Sequence, residues 1–169
     1  MTLTAKAAIL ASAWVLSAGL AQAQTSIIVA SQLEPPHLDP TSAAAGAIDN
    51  VVYSNIFEGL TRFAADGSVK LGLAESWEIS DDGLTYTFKL HDGVTFHDGT
   101  GMDAEDVKFS LDRARAEDST NAQKPLFAGI TDVTVVDPLT VQVTLAEPNG
   151  NFLFNMAWGD AVIVAPESI

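Results

Sequence analysis

The stretch LAESWEISDDGLTYTFKLHDGVTFHDG, residues 73–99, decides how the rest of the chain is interpreted. Its middle segment, Leu84–Leu90, alternates apolar and polar residues without interruption, which predicts a half-buried strand. Asp-Gly pairs at 82–83, 92–93 and 98–99 are typical of tight turns. The stretch therefore predicts a strand bounded by turns. The side chains expected to face the core are those of Leu84, Tyr86, Phe88 and Leu90.

A helix is expected directly after this stretch. Asp103 is a candidate N-cap, and Asp106, three residues later, completes a capping-box arrangement in which Asp takes the place of Glu. The helix should run to about Ala116, because the positive charges of its last turn suit the helix dipole. Its buried stripe should contain Val107, Leu111 and Ala114.

The remaining segments add strands and helices in mixed order. Apolar β-branched runs predict strands, and apolar residues at helical spacing predict helices. This interleaving, with at least one antiparallel hairpin, predicts the α/β class with a mixed α+β sheet. The expected elements are a buried strand at Thr25–Ala30, a helix at about Asp49–Leu60, a hairpin of Asp132–Val136 with Thr140–Leu145, a short helix at Asn151–Trp158, and the start of a strand at Val162–Ala165.

The first residues have the three-part pattern of a secretory signal peptide. Met1–Lys6 carries one positive charge, Ala7–Leu20 is apolar, and Ala21-Gln22-Ala23 is a small-x-small cleavage site. The alternative is a membrane anchor, but the apolar run is shorter than the roughly 20 residues that a spanning helix needs. We therefore expect export with cleavage after Ala23.

Composition excludes several partners and chemistries. With 8 Lys+Arg against 22 Asp+Glu, the formal net charge is −14, which argues against nucleic acid and anionic membrane surfaces. The absence of cysteine excludes disulfides, thiolate metal sites, cysteine nucleophiles and a lipid-modified N-terminal Cys. P-loop, G-x-S-x-G, H-E-x-x-H and EF-hand motifs are absent from the sequence.

One pattern leaves a metal site open. His91-Asp92-Gly93 and His97-Asp98-Gly99 repeat six residues apart, and a hairpin between them would bring imidazole and carboxylate ligands together. The Asp-Gly pairs favour the simpler interpretation that both segments are turns.

Five ordered segments carry a resemblance to a known family. The run Leu73–Gly99 resembles the defining motif of the bacterial extracellular solute-binding proteins of family 5, the peptide and nickel receptors of ABC importers. The other matching segments are Leu38-Asp39-Pro40, Ile56–Leu60, Asp103–Leu111 and Val141–Pro148.

The resemblance implies a type II periplasmic-binding-protein-like fold that is incomplete here. Residues 1–23 would be the signal peptide, 24–48 the first strand and loop of lobe one, and 49–169 the family's extra N-terminal subdomain with the start of the return to lobe one. A two-lobed receptor closes on its ligand about a hinge. The second lobe would lie outside this chain, so the face toward that missing lobe should be apolar and exposed.

The implied function is that of the substrate-binding component of an ABC transporter. It would capture peptides or similar small solutes in the periplasm and deliver them to a membrane permease, as a monomer, without a cofactor and without catalysis. The candidate ligand-binding residues are Ala43, Ala44, Ala45 and Gly46, whose small side chains would let an extended ligand approach the backbone, with Phe127 and Trp158 as apolar walls. The alternatives are a nickel or metal-chelate receptor of the same family, a secreted acidic hydrolase with paired carboxylates, and a non-functional remnant.

Overall fold

The structure is a computed structural model that describes residues 28, 30, 32–42, 46–53 and 55–168. The signal peptide and most of the strand expected at Thr25–Ala30 lie outside the described residues. The description below concerns the compact unit that begins at Leu33.

The main sheet contains four antiparallel strands. They are β3 (Ala74–Ile79), β4 (Thr85–Leu90), β5 (Ile130–Asp137) and β6 (Thr140–Leu145), in the order β3-β4-β6-β5. Two short strands, β1 (Thr61–Phe63) and β2 (Val69–Leu71), form a separate antiparallel ribbon. The described residues thus form the mixed helix and antiparallel-sheet fold that the sequence predicted.

Three helices accompany the sheets. Helix α1 is Gly46–Val52, α2 is Ala104–Arg115 and α3 is Phe152–Asn155, with 3-10 turns at Lys124–Phe127, Gly159–Ala161 and Pro166–Ser168. No described helix has both the length and the apolar composition needed to cross a membrane.

Helix α2 and the inner face of the sheet form the core. The expected capping box is present, with Asp103 accepting from the Glu105 amide and Asp106 accepting from the Asp103 amide. Lys108 Nζ donates to the Val133 carbonyl at 2.8 Å, which ties the helix to β5. The predicted inward side chains Tyr86, Phe88, Leu90, Val107, Leu111 and Ala114 are buried, whereas Leu84 is only partly buried. Val141, Val143 and Leu145 of β6 are buried beside them.

Several predicted elements were wrong in extent. The helix expected to reach Leu60 ends at Val52, because the chain turns at Tyr53, whose hydroxyl donates to the Ala157 carbonyl at 2.5 Å. The short helix expected over Asn151–Trp158 covers only Phe152–Asn155. Strands β1, β2 and β3 were not predicted.

The strand expected at Val162–Ala165 is replaced by a buried extended segment with a single bridge, between Gly59 and Val162. Two other backbone amides of this segment donate hydrogen bonds to groups that are not part of a β-sheet. The Ile163 amide donates to the Glu58 carbonyl at 2.9 Å, and the Val164 amide donates to Ser110 Oγ at 3.0 Å.

Candidate functional site

Buried polar side chains gather beside the second half of helix α2. Thr41 and Ser110 are both buried, and they line a concavity of about 170 Å³ together with Arg113. The hydroxyls of Ser119 and Thr120 add further hydrogen-bonding groups to its wall. We call this concavity the polar pocket.

Arg113 holds one wall of the polar pocket in place. Its Nη1 donates to Thr41 Oγ1, and its Nη2 lies 3.6 Å from Asp39 Oδ2. Thr41 in turn donates its amide and hydroxyl to Asp39 Oδ1 at 2.8 and 2.6 Å. Burial alone would raise the pKa of Asp39, but hydrogen bonds from Thr41 and Ser42 and the charge of Arg113 outweigh burial and lower it. Segment 39–41 is therefore tied to helix α2.

Two more side chains fix the opposite wall. Ser110 Oγ accepts from the Val164 amide at 3.0 Å. Asn121 Nδ2 donates to the Asp160 carbonyl at 2.9 Å, while Asn121 Oδ1 accepts from the Gln123 amide at 2.8 Å. These bonds join segment 160–164 to α2 and to residues 121–123.

A second concavity, the aromatic pocket, has a volume of about 300 Å³. The side chains of Phe154 and Trp158 are 42% and 40% exposed, and their ring centroids lie 6.3 Å apart. Phe63 supports both, with centroid distances of 4.8 Å to Phe154 and 6.3 Å to Trp158. The lining residues are Gln123, Leu126, Asn151, Phe154, Asn155 and Trp158.

The two pockets share the same two chain segments. Ser119 and Val162 line the polar pocket, whereas Gln123 and Trp158 line the aromatic pocket. The Asn121 side chain joins these segments through its hydrogen bond to the Asp160 carbonyl. In the sequence, Asn121 lies between Ser119 and Gln123, and Asp160 lies between Trp158 and Val162. The two pockets are therefore lined from the same two segments, residues 119–123 and 158–162, whose surface we call the shared face.

A pair of carboxylates lies beside this face. Asp160 is only 6% exposed. Burial and the nearby charge of Asp49 raise the pKa of Asp160 to about 6. A Cβ on Gly159 would lie 2.6 Å from Asp49 Oδ1, so only glycine allows this approach. The Asp49 carboxylate is thus packed against the backbone of Gly159.

A third concavity, the apolar cleft, is larger, at about 660 Å³. Leu38, 51% exposed, and Ile56, 40% exposed, contribute to its surface. Val164 lines both this cleft and the polar pocket. The cleft is an exposed apolar surface. The remaining apolar lining residues are Phe57, Leu73, Val94, Phe96, Met102, Ile163 and Ala165.

The histidine repeat forms turns. Gly93 and Gly99 have φ values of 74° and 91°, which L side chains rarely adopt. His97 Nε2 lies 3.0 Å from the Ile56 carbonyl. Within the described residues, no group of three or more His, Cys, Asp or Glu side chains could hold a metal ion.

The predicted site residues fall in different places. Ala43, Ala44 and Ala45 lie outside the described residues, and Gly46 is the exposed first residue of helix α1. Trp158 lines the aromatic pocket. Phe127 is 0% exposed, because its ring fills the core, so it offers no surface to a solute.

Sequence reasoning missed the polar side chains that build and support the polar pocket. Arg113 was assigned only to the helix dipole, although its partner Thr41 lies 72 positions earlier. Ser110 and Asn121 bind backbone atoms 54 and 39 positions away. The one usable signal was Leu38-Asp39-Pro40, which places a carboxylate shortly before the predicted ligand-binding residues 43–46.

Comparisons with known proteins agree with this architecture. A family model described as bacterial extracellular solute-binding proteins, family 5 Middle, matches residues 68–166. The chain is 36% identical over 164 residues to the glutathione-binding protein GsiB of Pectobacterium atrosepticum, covering 92% of this chain and 32% of that protein. It thus spans about a third of the length of the curated relatives it matches.

Solved structures show the same fold. NikZ of Campylobacter jejuni, in complex with Ni(L-His), superposes with a TM-score of 0.70 and 31% identity, over 80% of this chain and 26% of that one. DppA of Helicobacter pylori, in complex with the peptide STSA, gives a TM-score of 0.68 and 28% identity, over 78% of this chain and 29% of that one. These neighbours have type II periplasmic-binding-protein-like folds, of which this chain is a part.

Proposed function

The chain belongs to the bacterial extracellular solute-binding proteins of family 5, and from this membership we propose that it forms one wall of the solute cleft of an ABC-importer receptor. The receptor captures peptides or similar small solutes in the periplasm and delivers them to a membrane permease. The observation that carries the proposal is that the same two segments, residues 119–123 and 158–162, line both the polar and the aromatic pocket.

Each side of the shared face suits a different part of a peptide. The guanidinium of Arg113 and the hydroxyls of Ser119 and Thr120 suit carboxylate and carbonyl oxygens. The loop Ala43–Gly46 follows the segment that Arg113 anchors, and its backbone would pair with an extended ligand. Trp158 remains the proposed apolar wall.

The face is too shallow to capture a solute alone. Micromolar affinity requires about −8 kcal/mol, and ligand sites reach such values by burying most of the ligand. The two pockets hold about 170 and 300 Å³ and are open. A second lobe must therefore close over them.

The apolar cleft supports the presence of further polypeptide. An apolar concavity of about 660 Å³ is costly to leave in water. The relatives contain about three times the length of this chain, since it covers 32% of GsiB. We propose that the remainder of lobe one packs into this cleft.

The family and the matched relatives are binding proteins rather than enzymes. We propose that this chain also performs no catalysis, and that it acts as a monomer after cleavage at Ala23.

The test is calorimetry on a completed receptor. Residues 33–169 would replace the corresponding segment of GsiB, and the hybrid would be titrated with glutathione and with a neutral tetrapeptide, with intact GsiB as the control. We expect micromolar binding of at least one solute. A folded hybrid without binding, beside active GsiB, would contradict the proposal.

The similarity to NikZ favours one alternative, a receptor for a nickel chelate. The same hybrid would be titrated with nickel and histidine, and again after His91→Ala and His97→Ala substitutions. Micromolar nickel binding that the double substitution abolishes would establish the alternative. An absent or unchanged signal would exclude a role for this histidine pair.

A further inference from the structure

The aromatic pocket has the composition of a binding site. Among the large apolar side chains that the described part of the chain exposes, Phe154 and Trp158 are the aromatic ones. They lie four positions apart and face each other at 6.3 Å, with Phe63 behind them. Aromatic rings in this edge-to-face arrangement offer both faces and edges to a further ring.

The rim of the pocket is polar and neutral. Three amide side chains, those of Gln123, Asn151 and Asn155, line it beside the two rings. Of the described residues that line it, none is charged, although the chain contains 22 Asp+Glu. Side-chain amides donate and accept hydrogen bonds, as peptide groups do. The pocket therefore suits a neutral ring attached to a peptide backbone and disfavours a charged side chain, which would be desolvated without a partner.

The position of the pocket points to the same occupant. The Asn121 side chain donates to the Asp160 carbonyl and so joins the two segments that line both pockets. Gln123 comes shortly after Asn121 in the sequence, and Trp158 comes shortly before Asp160. An extended solute lying along the shared face would contact Arg113 and the hydroxyls at one end and the rings at the other. Because the volume is about 300 Å³, one large side chain fills the pocket.

We infer that the aromatic pocket binds an aromatic side chain of a peptide solute, packed against the exposed surfaces of Phe154 and Trp158. This inference rests on the proposed function and adds a preference for solutes with an aromatic residue. Asn155 and Gln123 bind the peptide groups that flank that residue.

The test uses the chain itself and a small probe. The indole N–H signal that disappears in Trp158→Phe identifies Trp158 in a nuclear magnetic resonance spectrum. N-acetyl-L-phenylalaninamide is then added up to its solubility limit. We expect a saturating shift of this signal, and a weaker effect from N-acetyl-L-alaninamide by at least about tenfold in affinity.

Matched variants separate the pocket from the rest of the surface. Phe154→Ala and Asn155→Ala should each weaken binding of the probe, by about tenfold and about threefold. Ile56→Ala and Asn55→Ala, which alter the apolar cleft, should leave it unchanged. The spectra report whether each variant is folded.

No shift of the Trp158 signal at the solubility limit would overturn the inference, as would equal shifts with the alanine probe. These results are independent of the proposed function. A hybrid receptor that binds peptides without preference for aromatic residues would retain the function and refute the aromatic pocket. If the chain binds the probe but the hybrid receptor binds no peptide, the aromatic pocket is supported and the proposed function is contradicted.

Discussion

The fold buries the carboxyl group of Asp160, which makes its ionised form unfavourable. Its pKa is raised to about 6 by burial and by the charge of Asp49, whereas an exposed Asp titrates near pH 4. The folded state therefore holds this proton more tightly than the unfolded state between about pH 4 and 6. The resulting stabilisation is complete below pH 4 and is lost as the pH rises through 6.

Asp160→Asn tests this interpretation. At pH 7 the substitution removes a buried charge, and we expect the free energy of unfolding to rise by roughly 1–2 kcal/mol. At pH 4 both proteins carry a neutral side chain, so their stabilities should be similar. Urea denaturation at the two pH values measures the difference. A variant that is less stable than the parent at pH 7 would refute the argument.

Arg113 connects segment 39–41 to helix α2 through Thr41 and Asp39. We expect Arg113→Gln to accelerate amide exchange in segment 38–42 severalfold, because its long-range anchor is lost. Arg115→Gln is the matched control, since Arg115 instead contacts Asp112 and the Ile130 carbonyl. Hydrogen exchange read by mass spectrometry distinguishes them, and equal effects on segment 38–42 would count against the anchor.

Local chemistry could be predicted at this scale, and distant contacts could not. The turn glycines and the Asp103 cap depend on neighbours within three residues. Arg113, Ser110 and Asn121 bind partners brought together by the whole fold. Their residue types alone give no sign of this. Of the two aromatic residues that we predicted as apolar walls, Trp158 lines a pocket, whereas Phe127 is buried in the core.

Helix α2 begins at a complete capping box. Asp103→Ala removes the acceptor for the Glu105 amide, so we expect a loss of about 1 kcal/mol in the free energy of unfolding. Asp103→Asn retains an acceptor and should remain within a few tenths of the parent. Urea denaturation of the two variants provides the measurement. Equal losses would show that charge, and not the cap bond, is responsible.

Gly72, which connects β2 to β3, makes a close backbone contact with the two residues that precede β1. A Cβ there would lie 2.5 Å from the Gly59 carbonyl oxygen and 3.1 Å from that of Leu60. We expect Gly72→Ala to destabilise the fold by about 1–3 kcal/mol through forced backbone shifts. Gly129→Ala is the control, because no atom lies within 4 Å of its Cβ position. Thermal unfolding that gives both variants similar midpoints would contradict this account.

The elements that the sequence predicted are those with complete local patterns. Strand β4 has strict alternation, and helix α2 has both a cap and a stripe. Strand β3 lies at the edge of the sheet, has an irregular register between Ala74 and Ser76, and exposes most of its side chains, so its sequence lacks alternation. Segment Val162–Ala165 is apolar like a strand, but its backbone bonds go to Glu58 and to the Ser110 side chain.

At the scale of the whole molecule, the family could be identified from five ordered segments, whereas the cleft-facing surface required coordinates. The polar pocket, the aromatic pocket and the apolar cleft are all open concavities on one unit. Two of them suit a solute, and the third suits protein. This division is what one wall of a closing receptor requires, because capture needs a second lobe.

Calorimetry of the chain alone tests this division most directly. The chain is titrated with glutathione and with a neutral tetrapeptide under the conditions used for the hybrid receptor. We expect no binding in the micromolar range, because an open face cannot bury most of a solute. Micromolar binding by the isolated chain would show that it encloses a solute unaided, and would contradict the claim that it forms one wall of a two-lobed receptor.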